Sequence, residues 1–315
     1  MSRFKFFDEE KDNDQLLHVA QNENNKIKTD QQKVSVKRYR YRVEQLMITK
    51  FNGQIINHGT TKQEFVVQKN FLDENLKSLQ FELVENVIKF EPPQLQTAIS
   101  LLCDFDIIKS NIELGFDAKT GRLNQVLNKE GVLNAWEDYK KATIKAYSFV
   151  KSTESQQNIQ LFINKAEEQI NNDSLLLSDF ETKLFFDIIF DRYLVQEEGD
   201  LAYDKEFISN LFDYRKINIH IGQFIIMESS ELIKMKRTGT LDQRSIDKDF
   251  MVKQYDEKFK PYVGFSFSSY NYTYNQNFTI NKEENVISEA NIVLVEEIKN
   301  NVQITVNYDL KLVEL

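Results

Sequence analysis

The chain has 315 residues, carries 49 acidic against 40 basic side chains for a net charge of −9, and is 41% hydrophobic with 12% aromatic content. That composition excludes intrinsic disorder for the body of the chain and leaves enough apolar material for a large core. The acidic balance argues against a protein that grips nucleic acid by its phosphates, and a single cysteine, Cys103, excludes an internal disulfide or a multi-cysteine zinc site.

No apolar run of signal-peptide length follows the first basic residues. No stretch approaches the roughly 20 apolar residues of a membrane span. The expectation is a soluble cytoplasmic protein with no membrane partner. Nine glycines and three prolines are few for a chain of this length, so turns must rely on Asn, Asp and Lys.

In chain order, residues 1–32 are rich in Asp, Glu, Asn, Gln and Lys and read as a flexible polar arm. Phe4, Phe6 and Phe7 interrupt it, as a peg for the body or a short motif for a partner. From Lys33 the pattern becomes period two: Tyr39, Tyr41 and Val43 alternate with Arg38, Arg40 and Arg42. Asn52-Gly53 is a strong hairpin signal. Strands follow at 63–68 and 77–90, ended by Pro92-Pro93, and the prolines open a short helix over 95–102. A second hairpin is expected from 107–116 and 122–127, turning through 117–121. Residues 33–128 thus form an N-terminal antiparallel sheet.

Residues 129–212 read as a helical block. Over 129–151, Val132, Leu133, Trp136, Tyr139, Thr143, Ala146, Tyr147 and Val150 make one apolar stripe at spacings of three and four. A weaker helix covers 155–170. The capping-box pattern Ser178-Asp-Phe-Glu181 opens a third helix with Leu184, Phe185, Ile188 and Ile189 inward, and 204–212 suggests a fourth. Residues 213–315 return to strands at 217–227, 231–236, 263–274, 278–281, 286–298 and 302–313, with 241–260 a polar connection that includes a helical stretch. The C-terminal antiparallel sheet is expected to pack with 33–212 as one large unit. The fold class is therefore α+β: antiparallel sheets, curved in the manner of a half-barrel, flanking a central helical block. Trp136 should be buried against a sheet.

Chemistry-bearing patterns are sparse. Of three histidines, no two stand at metal-ligand spacing. His220 falls opposite the apolar face of Ile217, Ile219 and Ile221. Phosphate-cradling and hydrolase motifs are missing, so no catalytic residue, metal ligand or cofactor is assigned. Asp187 and Asp191, four apart on one helix face, would suit a divalent cation, but a solvated helix face is the commoner meaning of such a pair. Cys103 lies in an apolar run and reads as an inert buried thiol.

Two patterns remain. Arg38, Arg40 and Arg42 place three guanidiniums along one strand face at about 7 Å intervals, a ladder able to hold carboxylates or an acidic protein surface, or else a solvent-facing strip paired with acidic neighbours or a sheet edge guarded by charge. Phe265, Phe267, Tyr270, Tyr272 and Tyr274 form an aromatic ladder that could line a ligand site or a partner's groove, or simply pack a sheet on helices. The reading that follows is a non-catalytic intracellular protein-binding module, such as a chaperone, adaptor, immunity or assembly component, with another protein as partner and the arginines in the contact. The alternatives are a small-molecule or lipid-binding half-barrel, with the aromatics as its wall, and an enzyme whose carboxylates meet only in space.

Overall fold

Period-two alternation is the dominant pattern of this chain, and it builds one sheet rather than two. The computed structural model describes residues 34–72, 75–93, 96–117, 122–147, 153–191, 202–213 and 215–314. The expected arm over 1–32, the turn residues 118–121 and the end of the first long helix past 147 lie outside them. The strands are β1 (Val34–Phe51), β2 (Gln54–Leu72), β3 (Asn75–Glu91), β4 (Ile112–Phe116), β5 (Leu123–Val126), β6 (Ala202–Ile208), β7 (Lys216–Glu228), β8 (Leu232–Leu241), β9 (Tyr270–Asn281), β10 (Val286–Ile298) and β11 (Val302–Glu314). They pair antiparallel in the order β5-β4-β3-β2-β1-β11-β10-β9-β8-β7-β6. One meander runs outward from β1 to β5 and a second runs inward from β6 to β11. They join where β1 pairs with β11, Arg42 opposite Lys311 and Phe51 opposite Val302. β5 and β6 do not pair with each other, so the sheet is open and not a barrel.

The helices are α1 (Gln96–Ser110), α2 (Lys129–Tyr147), α3 (Thr153–Asn171), α4 (Asp173–Thr182), α5 (Leu184–Ile189), α6 (Lys248–Lys258) and α7 (Lys260–Val263). They do not form a block between two sheets. α1 packs on β3 and α4 on β5, with α2 and α3 stacked beyond them. Trp136 is buried as expected, but among helices. Its indole lies 5.5 Å from the Phe105 ring of α1 and 6.4 Å from that of Phe162 in α3.

The short helix α5 shows how strongly the sheet bends. Phe185 stacks on Phe65 of β2 at 3.8 Å, and Phe186 lies 4.8 Å from Phe81 of β3. Two residues past the helix, Asp191 bonds Arg237 of β8, with Nη2 3.0 Å from Oδ1. In a flat sheet β3 and β8 would stand six spacings, about 29 Å, apart. A six-residue helix is about 9 Å long. The sheet therefore curls around α5 as a trough. Its inner face is built from the alternate residues of each strand: Tyr39, Tyr41 and Val43; Phe65 and Val67; Ile217, Ile219 and Ile221; Tyr270, Tyr272 and Tyr274; Val306, Tyr308 and Leu310, all buried.

One end of the trough is closed by α6 and α7. Tyr255 donates to the Phe265 carbonyl at 3.0 Å and accepts from Asn301 at 2.8 Å, and Asn52 donates to the Val263 carbonyl at 3.0 Å. Asn52 and Gly53 take left-handed backbone angles, φ 49° and 78°, in the turn between β1 and β2 that the Asn-Gly pair predicts.

Four sequence expectations need correction. α1 runs on to Ser110, through residues expected to be strand. Nothing breaks the helix between 102 and 110, and Lys109 in its last turn is held by Asp179 at 2.8 Å and Asp106 at 3.2 Å. Residues 178–181 do not start a helix. α4 begins earlier, where the Asn172 side chain accepts the Leu175 amide at 3.2 Å. The helix expected over 204–212 is strand β6, whose alternation of half-buried Tyr203, Lys205 and Phe207 with exposed Asp204 and Glu206 has a period of two. Residues 263–269 are not strand: α7 ends at Gly264, φ 78°, and β9 begins at Tyr270.

Candidate functional site

Most charged and polar groups inside the trough hold the fold together. Arg237 and Asp191 are each 4% exposed and form a bidentate pair. The guanidinium also donates to Gln223 at 2.7 Å and lies over the Phe278 ring at 4.4 Å. Burial works against its charge, but the Asp191 carboxylate outweighs burial and raises its pKa. Asp187, one turn back, pairs with Lys205 of β6. Asp187 and Asp191 are therefore neither a metal pair nor a solvated face: each carboxylate ties α5 to a different strand. Glu296 of β10 is likewise buried and accepts from Ser209, from the Asn210 amide at 2.7 Å and from Tyr270 at 2.8 Å. Burial raises its pKa against the effect of those three donors.

The arginine ladder lies on the outer face of β1, a central strand rather than an edge. Arg40 is bound to Glu64 and stands 3.8 Å from Glu314; Arg42 lies 3.6 Å from Glu64, and Arg38 lies 3.9 Å from Glu82. The Glu64 side chain is only 8% exposed between the two guanidiniums. The aromatic ladder divides. Tyr270, Tyr272 and Tyr274 point into the trough and meet the protein's own rings: Phe212 at 5.6 Å from Tyr270, Phe207 at 5.6 and 5.2 Å from Tyr272 and Tyr274. Phe267 is half-buried against Tyr255 at 5.6 Å, and Phe265 is exposed. His58 and His220 are exposed, with His220 2.9 Å from Asp204. His18 is outside the described residues. Cys103 is buried, and burial raises its thiol pKa.

Two further features carry more. The first is the outer stretch of β7. β6 pairs with β7 only as far as Ala202 opposite Gly222, and among the described residues no strand covers that side of Gln223 to Glu228. Along it Phe224, Ile225, Ile226 and Met227 are 56%, 49%, 61% and 42% exposed. Phe224 and Ile225 face opposite sides, and the pairing slips at a bulge between Ile225 and Met227, so apolar side chains lie exposed on both faces. Across from them on β8, Lys236 faces Phe224 and Lys234 faces Met227, both exposed. The sequence signal is four apolar residues without alternation, a pattern that asks for burial on both faces.

The second lies at the end of the trough opposite α6. Lys69, on the inner face of β2, reaches across β1 to the turn between β9 and β10. Its ammonium donates to the carbonyls of Asn285 at 2.8 Å and Glu284 at 3.3 Å and lies 5.3 Å from the Tyr39 ring centre. The Glu284 carboxylate accepts from Lys37 and Tyr39, each at 2.8 Å. Burial pushes the Lys69 pKa down to about 8, with Glu284 opposing and Lys37 adding to the effect. Nothing in the sequence marked Lys69, since its setting is made by residues some 215 positions away.

No protein-family model and no curated protein matches the chain. Among solved structures, one of lipovitellin concerned with lipid–protein interactions is similar over 87% of this chain and 25% of its own, at 10% sequence identity and a TM-score of 0.41. The chain thus spans about a quarter of that protein's length. Among the described residues no helix is long and apolar enough to cross a membrane.

Proposed function

We propose that this protein acts by binding another protein, and that the partner adds an extended segment to the outer edge of β7. The carrying observation is the run Phe224, Ile225, Ile226 and Met227, exposed on both faces of a strand along which, among the described residues, no strand pairs on one side. Exposed apolar edges of this kind recruit strands, and proteins that do not use them blunt them with charge, proline or cover. Neither charge nor proline occurs between Gln223 and Met227, and the one such device in the run is a bulge between Ile225 and Met227. The charges across from the run on β8 are the cations Lys234 and Lys236, while Glu228 at its end is paired with Lys282, in a chain whose net charge is −9. The partner segment that fits is extended, apolar toward β7, and acidic where it passes those lysines. The outward face of Arg38, Arg40 and Arg42 is a second cationic strip for the same acidic partner, which must compete there with Glu64, Glu82 and Glu314.

The test uses a synthetic peptide of alternating Val and Glu and its copy N-methylated at alternate residues, which cannot extend a sheet. The plain peptide should bind the full chain and protect β7 amides from exchange, with affinity falling as salt rises. The methylated copy should bind at least tenfold more weakly. A Phe224→Lys/Ile226→Lys variant that keeps its fold should lose binding. Equal binding of the two peptides, or unchanged binding by that variant, overturns the reading.

A further inference from the structure

We propose that Lys69 is a reactive amine that takes a small uncharged aldehyde, forming an imine at the end of the trough opposite α6, between β2 and the β9–β10 turn. The argument begins with a charge count. Among the described residues two ammonium groups, Lys37 and Lys69, meet one carboxylate, Glu284. That carboxylate is engaged by Lys37 and by the Tyr39 hydroxyl. Lys69 is left with backbone carbonyls as acceptors, which solvate an amine but do not neutralise an ammonium. One proton is in excess, and the more enclosed amine releases it. Among the described residues the groups facing Lys69 are Lys37 and Tyr39 from β1 and Glu284 from the turn. From α5 and the residue after it come Ile189 and Phe190, which carry no charge.

A cavity of about 40 Å³ adjoins this amine, lined by Tyr41, Val67, Leu79, Phe116, Ile189 and Phe190. A water needs at least about 10–15 Å³ of such space, so a molecule of three or four heavy atoms fits. The apolar walls favour an uncharged electrophile over an ion. A lysine amine relieved of its proton by burial and placed beside an apolar pocket is the arrangement that lysine-based carbonyl chemistry requires. In the step itself, the nitrogen lone pair attacks the carbonyl carbon to give a carbinolamine, a proton passing from nitrogen to the former carbonyl oxygen. Loss of the hydroxyl with the second amine proton releases water and leaves the C=N bond. Amine and aldehyde therefore give imine and water, with no oxidant or reductant. The lowered pKa of about 8 supports the same assignment. At pH 7.4 it gives a neutral fraction about 200-fold above that of an ordinary lysine.

The experiment is limited labelling of the full chain with ¹³C-formaldehyde and cyanoborohydride, which traps the imine, across pH 6–10, with each lysine followed by peptide mass mapping and by NMR of its methyl groups. Lys69→Arg assigns the signal. At pH 7.5, Lys69 should label at least tenfold faster than Lys141, an exposed residue on α2, with a rate profile centred near pH 8. Lys37→Gln frees Glu284 to pair with Lys69 and should slow its labelling at pH 7.5 several-fold while moving the midpoint upward. Propanal should label Lys69 in preference to Lys141, and the charged aldehyde glyoxylate should not. Labelling of Lys69 no faster than Lys141, labelling only in urea, or a rate indifferent to Lys37→Gln would overturn the proposal.

Discussion

The pair between Arg237 and Asp191 is the point at which α5 is fastened to the far wing of the sheet. Replacing Asp191 by Leu leaves a guanidinium that is 4% exposed with glutamine carbonyls, from Gln223 and Gln276, as its hydrogen-bond acceptors. Removing one partner of a buried pair costs about 3–5 kcal/mol, because the other charge stays in a medium that cannot solvate it. Removing both is cheaper: the site is walled by Phe278 and Tyr203, and Met in place of Arg237 fills a similar volume without a charge. Asp191→Leu should therefore lose about 3–5 kcal/mol, and Asp191→Leu/Arg237→Met should recover at least about 2 kcal/mol of that. Urea unfolding at pH 7 measures both, followed by circular dichroism and by fluorescence of the sole tryptophan, Trp136. Trp136 reports the helical wing and circular dichroism the sheet, so coincident curves also test whether the two unfold together. A single variant costing under about 1 kcal/mol, or a double variant no more stable than Asp191→Leu, refutes the account of α5 as a plug locked by charge.

Other outcomes follow from single contacts. The Lys69 amine has a pKa of about 8 when folded against a reference of 10.5, so between those values the unfolded chain binds more protons and stability rises with pH. The penalty is full below pH 8 and relieved toward pH 10.5. The stability difference between wild type and Lys69→Met should shift in favour of wild type by about 1–2 kcal/mol from pH 7.5 to 10, after allowance for partial solvent screening, as measured by urea unfolding at each pH. A Cβ on Gly239 of β8 would meet Ile219 at 2.6 Å and Tyr274 at 2.8 Å, so Gly239→Ala should destabilise by about 1–3 kcal/mol through overpacking, seen as a lower thermal midpoint. Arg40→Glu sets a second carboxylate against the buried Glu64 and should lower the urea midpoint. An unchanged midpoint would mean the outer face of β1 is free of internal pairing.

The strands were legible wherever one face of the sheet is inside and the other is wet. Tyr39, Tyr41 and Val43 alternate with arginines because β1 has one buried face, and Asn52-Gly53 marks its turn by backbone chemistry alone. Legibility failed where the environment changes faster than a sequence window. In β6 the inward residues include Lys205, whose charge is satisfied by Asp187, so no apolar alternation was visible. Phe265 and Phe267 look like a continuation of the Tyr270–Tyr274 ladder, yet Gly264 ends a helical turn just before them. The union of two meanders into one sheet could not be read at all, because it depends on the pairing of β1 with β11. The candidate sites failed for a related reason: Lys69 is made unusual by Glu284 and Asn285, and the exposure of Phe224 to Met227 depends on which strands lie beside β7.

That central pairing also governs how the molecule can be made. β1 and its partner β11 are about 260 residues apart, and at a translation rate of about 5–20 residues per second β1 waits about 13–52 s for the strand that covers it. Until then the first five strands can assemble as a half-sheet, with the whole of β1 as a bare ribbon edge on a polysome crowded with copies of the same nascent chain. Arg38, Arg40 and Arg42, with Lys37 and Glu44 on the same strand, place charge along that ribbon during the interval. A charged edge resists adopting a neighbour's strand. The arginines at the middle of the finished sheet thus put charge along an edge that the mature protein no longer has.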